Sequence, residues 1–114
     1  MSAYLSIIIA KEQAKYICHH TLDLLNQESN FSVLCHNKEI YWKDESMARI
    51  SIEIDVYQCI LESEWLQFFS KFADQYSIFR DDDSIEIAHY SSPNSKNDPF
   101  IILYIPNAMI KHDK

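Results

Sequence analysis

The chain has 114 residues, an apolar fraction of 47% and a formal charge of −7, which together indicate one folded domain over residues 1–114 with an acidic surface. It contains no glycine, which excludes the glycine-rich phosphate loops, dinucleotide fingerprints and nucleophile elbows of many enzymes. The acidic balance argues against nucleic acid or anionic membrane as a partner. Three cysteines without a framework spacing are typical of reduced thiols in a cytoplasmic protein, and no stretch has the features of a targeting segment or a membrane span.

The first two elements are a short apolar run and an amphipathic helix. Tyr4 to Ile9 contains three consecutive isoleucines, and β-branched residues favour a strand. The alanines around this run also keep helical spacing, so residues 4–10 as the first turns of a helix running on to Gln27 are the alternative. Lys11 to Gln27 is predicted to be helical, because its apolar side chains share one face and its charged side chains lie opposite.

A hairpin is predicted after this helix. The runs Phe31 to Cys35 and Glu39 to Lys43 are rich in strand-forming residues, and His36-Asn37-Lys38 between them has the character of a turn. Asn37 would take the position that glycine usually fills in a tight hairpin. Asp44-Glu45-Ser46 is then a polar turn that leads into the next strand.

Arg49 to Tyr57 has the most regular pattern in the chain. Isoleucine or valine alternates without a break with serine, glutamate, aspartate and tyrosine. Successive strand side chains point to opposite faces, so we expect an interior or next-to-interior strand with one apolar face and one acidic face. Glu53 and Asp55 stand next to each other on the acidic face.

The second half of the chain predicts a helix and two further strands. Ser63 is the expected N-cap of the helix, and Trp65, Phe69, Phe72 and Tyr76 form its apolar stripe. Strands are predicted at Ser84 to Tyr90 and Phe100 to Ile105, with a loop at Ser91 to Pro99 and a frayed or weakly helical end after Pro106. The predicted fold is therefore α+β: a single, largely antiparallel sheet with two helices packed on it, in the order β-α-β-β-β-α-β-β.

Soft and imidazole ligands occur in two places, Cys18-His19-His20 and Cys35-His36. Neither has the spacing of a zinc site, and adjacent residues on a helix or strand point in different directions. The same geometry separates each cysteine from a catalytic base. We therefore expect no metal, no cofactor and no cysteine-based catalysis.

Charge is concentrated in one third of the chain. Residues from Arg49 to Glu86 include nine carboxylates and three basic side chains, a net charge of −6. Glu86 joins the face of Glu53 if the strand Ser84 to Tyr90 pairs beside Arg49 to Tyr57. Aromatic side chains within a charged field are typical of protein-binding surfaces. The predicted partner-binding residues are Glu53, Asp55, Tyr57, Trp42, Asp81, Asp82, Asp83 and Glu86.

In general character these residues resemble the small acidic immunity proteins that bacteria keep beside a toxin domain. The resemblance rests on the acids between Glu53 and Glu86, with Tyr57 and Trp42, and on no sequence motif. It implies a non-catalytic, cytoplasmic inhibitor that blocks a basic, nuclease-type toxin by electrostatic and shape complementarity. Abundant isoleucine and asparagine with scarce arginine is compatible with an AT-rich bacterial genome.

Two alternatives remain open. The order of elements from Lys11 to Ile105 is similar to the core of chaperones for secreted effectors, although the eight residues after Pro106 are too few for that family's closing helix. The other alternative is a small hydrolase that uses Glu53 and Asp55 as paired carboxylates.

Overall fold

The computed structural model describes residues 2–90 and 99–111. These residues form two α-helices, α1 and α2, and eight strands, with single turns of 3₁₀-helix at Lys11–Gln13 and Asn107–Met109. The elements are β1 (Ala3–Ala10), α1 (Ala14–Gln27), β2 (Phe31–Ile40), β3 (Met47–Val56), β4 (Ile60–Leu61), α2 (Glu62–Phe69), β5 (Ser77–Arg80), β6 (Ser84–His89), β7 (Phe100–Pro106) and β8 (Ile110–Lys111).

Six strands form one antiparallel sheet in the order β2-β3-β1-β7-β6-β5. The short strands β4 and β8 pair in parallel as a separate ribbon. The predicted α+β class, with a largely antiparallel sheet and two helices, is confirmed. In the described part of the chain, neither helix has the length and apolar character needed to cross a membrane.

The core lies between the helices and one face of the sheet. Cross-strand register places apolar residues opposite one another, as where Leu5 of β1 lies opposite both Ile52 of β3 and Leu103 of β7. These side chains form a buried cluster with Leu25 of α1 and Trp65 of α2. Fully burying one such side chain contributes roughly 1.5–3 kcal/mol, so the alternating pattern of the strands is what holds the helices on this face.

Two predictions about the strands are confirmed. The run at residues 4–10 is a strand, β1, rather than the start of a helix, and it lies near the centre of the sheet. The strand predicted at Arg49 to Tyr57 is β3, which is interior because β2 and β1 flank it. Ile50, Ile52 and Ile54 on its apolar face are fully buried, as expected from the alternation, and Val56 at its end is partly buried.

The hairpin predicted at His36-Asn37-Lys38 is wrong. Residues Phe31–Ile40 form one continuous strand in which Asn37 lies opposite Ser51. The chain turns at Asp44-Glu45-Ser46, as predicted for that segment, where the Asp44 carboxylate Oδ1 accepts hydrogen bonds from the backbone N–H of Ser46 at 2.9 Å and from its hydroxyl at 2.7 Å. No described residue has a positive φ. A tight two-residue hairpin at Asn37 would need one, whereas an aspartate-stabilised turn does not.

The second helix is shorter than predicted. It begins at Glu62 with Leu61 as its N-cap, not Ser63, and the carboxylate of Glu64 accepts the Leu61 N–H at 2.9 Å. It ends at Phe69, so Tyr76 lies outside it. The hydroxyl of Ser70 donates to the carbonyl of Gln67 at 2.7 Å. Such serine–backbone bonds compete with helical hydrogen bonding and help to end the helix here.

The end of the described chain is also more ordered than the predicted fray. Met109 and Ile110 are buried in the core, and Ile110 pairs with Ile60 in the β4–β8 ribbon. The predicted loop falls almost entirely on residues 91–98, which lie outside the described residues, as do residues 112–114.

Candidate partner-binding face

One face of the six-stranded sheet carries neither helix. The helices pack with the buried core on the other face, and the side chains between the core residues form what we call the open face. A single cross-strand row runs over all six strands of it: Cys35, Glu53, Tyr4, Tyr104, Glu86 and Phe79. Two tyrosines therefore stand at the centre of the row, with a carboxylate on each side.

Glu53 is the most connected residue of this row. Its carboxylate accepts a hydrogen bond from the Tyr4 hydroxyl at 3.4 Å and another from the Cys35 thiol at 3.5 Å. The negative charge of Glu53 raises the pKa of Tyr4, and the hydrogen bond to Glu53 raises the pKa of Cys35. In both groups the protonated, neutral form is therefore favoured. A thiol in that state is a poor nucleophile.

A shallow depression of about 260 Å³ lies beside Glu53 on the side of the β2–β3 hairpin. The guanidinium Nε of Arg49 donates to the hydroxyl of Ser6 at 3.2 Å within it. Tyr4, Asn37 and Glu53 are among the other polar residues that line it. The depression thus presents hydrogen-bond donors and acceptors next to a carboxylate.

The rest of the open face is mainly aromatic and aliphatic. The ring of Tyr4 lies 6.4 Å from that of Tyr104, and the ring of Tyr90 lies 5.1 Å from that of Phe100. Phe79 is 47% exposed, and its ring meets Tyr90 edge-on at 6.4 Å. Exposed aromatic rings of this kind are the usual anchors of protein–protein interfaces.

Three of the predicted partner-binding acids lie on this face. Glu53 and Asp55 share one strand, and Glu86 reaches the same face from β6. The arrangement expected for Glu86 is wrong in one respect, because β6 does not pair beside β3. Strands β1 and β7 lie between them, since their apolar residues fill the sheet centre on the core side. Glu53 and Glu86 are therefore separated by three strand spacings, roughly 14 Å.

The acidic turn at Asp81–Asp83 lies at one end of the sheet, between β5 and β6. Its backbone is fixed by Asn107, which donates its N–H to the Asp83 carbonyl at 2.9 Å and its side-chain amide to the Asp82 carbonyl at 2.7 Å. The neighbouring Arg80 is engaged by the carboxylate of Glu62, with one contact of 3.1 Å. The turn therefore presents its carboxylates to solvent at a defined position.

The two predicted aromatic anchors lie far apart. Tyr57 is 75% exposed just beyond β3, at the same end of the sheet as the acidic turn. Trp42 is 77% exposed in the hairpin turn at the opposite end, with the Lys43 ammonium 4.9 Å from its ring centre. The ten-residue strand β3 separates them, which is about 30 Å. The structure does not bring these two side chains together.

The central tyrosines of the open face were missed by the sequence interpretation. Tyr4 and Tyr104 lie in runs that are apolar almost throughout, and such runs suggest a strand buried on both faces. A usable signal was present, because Tyr4 and Ser6 alternate with Leu5 and Ile7. That alternation places the tyrosine on the face away from the core.

The histidines and cysteines do not converge as a metal site would require. Cys18, His19 and His36 line a cleft of about 530 Å³ between α1 and β2, whereas Cys35 is on the open face. Over residues 2–90 and 99–111, no group of three or more histidine, cysteine, aspartate or glutamate side chains is arranged to hold a metal ion. The absence of a bound metal from the protein stays a prediction.

Comparisons of the chain with family models, with curated proteins and with solved structures gave no match.

Proposed function

We propose that this protein is a non-catalytic inhibitor that binds a basic toxin domain through its open face, in the manner of an immunity protein. The observation that carries the proposal is the row across the sheet, in which Tyr4 and Tyr104 are flanked by Glu53 and Glu86. An exposed sheet face with aromatic side chains at its centre and carboxylates around them suits a partner with basic side chains around an apolar patch.

Electrostatics support the same class of partner. Of the charges between Arg49 and Glu86, the open face carries Arg49, Glu53, Asp55 and Glu86, and the adjoining acidic turn carries three aspartates, a net charge of −5. Complementary fields of this size raise the association rate and select the partner, but they add little net affinity. Affinity in this proposal therefore depends on the aromatic anchors.

Tyr4 and Tyr104 are the anchors that we place at the centre of the interface. Tyr57 lies toward the acidic turn and serves as a further contact at that end. A standard interface buries about 800 Å² on each partner, a patch roughly as wide as β3 is long. Trp42, at the far end of the hairpin, is therefore outside the core of the proposed interface.

The arrangement of β1 counts against the effector-chaperone alternative. The similarity to those chaperones begins at Lys11 and treats the leading strand as an addition. Here β1 pairs with strands on both sides and contributes Leu5, Ile7 and Ile9 to the core. The described residues after Pro106, 107–111, form a 3₁₀ turn and β8 where those chaperones have a closing helix.

The test uses a toxin domain encoded beside the gene of this protein and measures association and dissociation rates at several salt concentrations. The double variant Glu53→Lys, Asp55→Lys is expected to associate more slowly and with a weaker dependence on salt, because part of the attractive field is reversed. Tyr104→Ala is expected to accelerate dissociation by about tenfold or more, the effect of losing one anchor.

A charge-matched control is available on the opposite side of the molecule. Glu12→Lys, Asp23→Lys makes the same change in net charge at exposed positions on and before α1. If this control slows association as much as the double variant on β3, only net charge matters and the open face is not the site. Unchanged kinetics in both double variants and in Tyr104→Ala would place the partner elsewhere.

A further inference from the structure

The sheet has one long free edge. Strand β2 is ten residues long and pairs with β3 on one side only, among the residues that the structure describes. Its seven residues from Leu34 to Ile40 are all exposed, and they include two large apolar side chains, Leu34 at 52% and Ile40 at 59%. The other edge strand, β5, has only four residues.

The backbone groups that point out of this edge can be identified. The N–H of Tyr41 donates to the Met47 carbonyl at 2.9 Å, which makes these two residues a hydrogen-bonded pair. Such pairs alternate along an antiparallel ladder, so the backbone groups of Asn37 and Glu39 point inward to β3. Those of His36, Lys38 and Ile40 point outward. Each of these three residues presents an N–H and a C=O group at the edge.

This edge has few of the features that prevent the edge strands of different molecules from pairing with each other. Natural edges are often blocked by proline, by several charges or by bulges. Strand β2 has a bulge between Val33 and Cys35, but it has no proline, and its only full charges are Lys38 and Glu39. Because these two charges are opposite, the strand is a neutral strip on an acidic protein, where two copies meet with little repulsion.

We propose that β2 pairs antiparallel with β2 of a second copy of this chain, with Asn37 on the two-fold axis. In this register Asn37 faces Asn37 of the other copy, and His36 faces Lys38. Cys35 faces Glu39, and the exposed Leu34 faces the exposed Ile40. The exposed segment is thus self-complementary about its midpoint, as an isologous dimer interface requires.

Neighbouring registers fit less well. An axis at Lys38 or at Glu39 would oppose two like charges, which destabilises a cross-strand pair. An axis at His36 would place Ile40 opposite Ser32 and leave the apolar ends of the segment unmatched. Only the axis at Asn37 uses all seven exposed residues and pairs apolar with apolar. The contact is small, so we expect a weak dimer that forms only at the higher protein concentrations.

The first experiment is sedimentation velocity over a concentration series, with no toxin present, so its outcome is independent of the proposed function. Wild type is expected to dimerise. Asn37→Glu and Asn37→Lys are each expected to raise the dissociation constant of the dimer by about fivefold or more, because like charges then meet on the two-fold axis. An equimolar mixture of the two variants should recover dimer as a heterodimer. Wild type that stays monomeric throughout, or variants that dimerise as wild type does, would overturn the proposal.

A second experiment tests the register in a variant whose three native cysteines are replaced by serine. Residues facing each other in a non-hydrogen-bonded pair have Cα atoms about 4.5 Å apart, a separation that a disulfide can span. Asn37→Cys should therefore form a disulfide-linked dimer on mild oxidation. Ser51→Cys, one strand further in on the same face, is the control and should not. Equal cross-linking of both, or cross-linking of the control alone, would exclude this register.

The hydrogen-bonding edge is tested by one further pair of variants. Lys38→Pro removes an N–H that points outward and leaves the β2–β3 ladder intact, as edge-strand proline can. It should abolish the dimer, whereas Lys38→Ala should retain it. A Lys38→Pro protein that is folded, as judged by circular dichroism, and still dimerises would show that the contact lies elsewhere.

Discussion

Replacing Phe69 with alanine tests whether the core is built as described. The ring is fully buried, with an exposed fraction of 0%, and it meets Tyr76 edge-on at 5.7 Å. Losing the transfer free energy of the ring costs roughly 2–3 kcal/mol. The cavity left behind brings typical Phe→Ala substitutions to about 3–5 kcal/mol. Small domains have a total stability of about 5–15 kcal/mol, so this single change should remove a large part of it.

The measurement is equilibrium unfolding in urea, followed by circular dichroism, together with a thermal melt. With an unfolding entropy of about 2.1 cal/mol/K per residue, a loss of ~4 kcal/mol in the free energy of unfolding lowers the melting temperature by roughly 15–20 °C. Phe79→Ala is the matched control, since the same substitution at a half-exposed ring should cost about 1 kcal/mol or less. If Phe69→Ala costs no more than Phe79→Ala at an unchanged m-value, the helix α2 does not pack as described.

Further predictions concern the open face, the hairpin and metal binding. Glu53→Gln should lower the pKa of the Cys35 thiol toward its ordinary value and so accelerate its reaction with Ellman's reagent at mildly alkaline pH; Asp55→Asn, which removes a charge without touching the thiol, should leave that rate nearly unchanged. Asp44→Ala should destabilise the protein by about 1 kcal/mol because it removes two hydrogen bonds of the hairpin turn, whereas Glu45→Ala should not. Purified protein should contain no stoichiometric zinc, and a chelator should leave its melting temperature unchanged; zinc bound by Cys18 or Cys35 would contradict this.

The raised pKa values of Tyr4 and Cys35 also imply a direction for the effect of pH on stability. Both pKa values are raised in the folded protein, so their contribution is complete at neutral pH and is lost as the pH rises through those values. Unfolding in urea at several alkaline pH values should show wild type losing stability faster than Glu53→Gln. Identical pH profiles would mean that Glu53 does not hold these protons.

The fold was predictable where side chains alternate or repeat regularly. Strand β3 follows directly from the alternation of isoleucine with polar residues, and α1 from its single apolar face. The errors fell where backbone chemistry decides the outcome. The sequence predicts turns at both Asn37 and Asp44, but only the turn at Asp44, which the aspartate side chain stabilises, reverses the chain, and β2 continues through Asn37. The stripe of aromatics ending at Tyr76 fits a helix, but Ser70 bonds to the backbone and the helix ends.

The site was predictable only in part, because strand order does not follow from local pattern. The acids on β3 and β6 were identified, and their parity put them on one face. The position of β1 and β7 between them depends on pairing between residues far apart in sequence, such as Tyr4 with Tyr104. No local pattern specifies that pairing, and so the tyrosine centre of the open face was missed.

The free edge adjoins the open face, because β2 forms that edge and also supplies Cys35, the first residue of the row across the sheet. Pairing along β2 would therefore affect how the open face binds a partner. Residues that face each other across an antiparallel pair point to the same side of a sheet. If two copies pair along β2, their open faces therefore lie on the same side of one continuous sheet, with Cys35 and Glu53 of each copy near the junction. Such a dimer would present two rows of carboxylates and tyrosines together. Lys38→Pro, compared with the equally charged Lys38→Ala, should then leave the affinity of each open face unchanged, while the dimer, and with it the simultaneous binding of two linked partner domains, is lost.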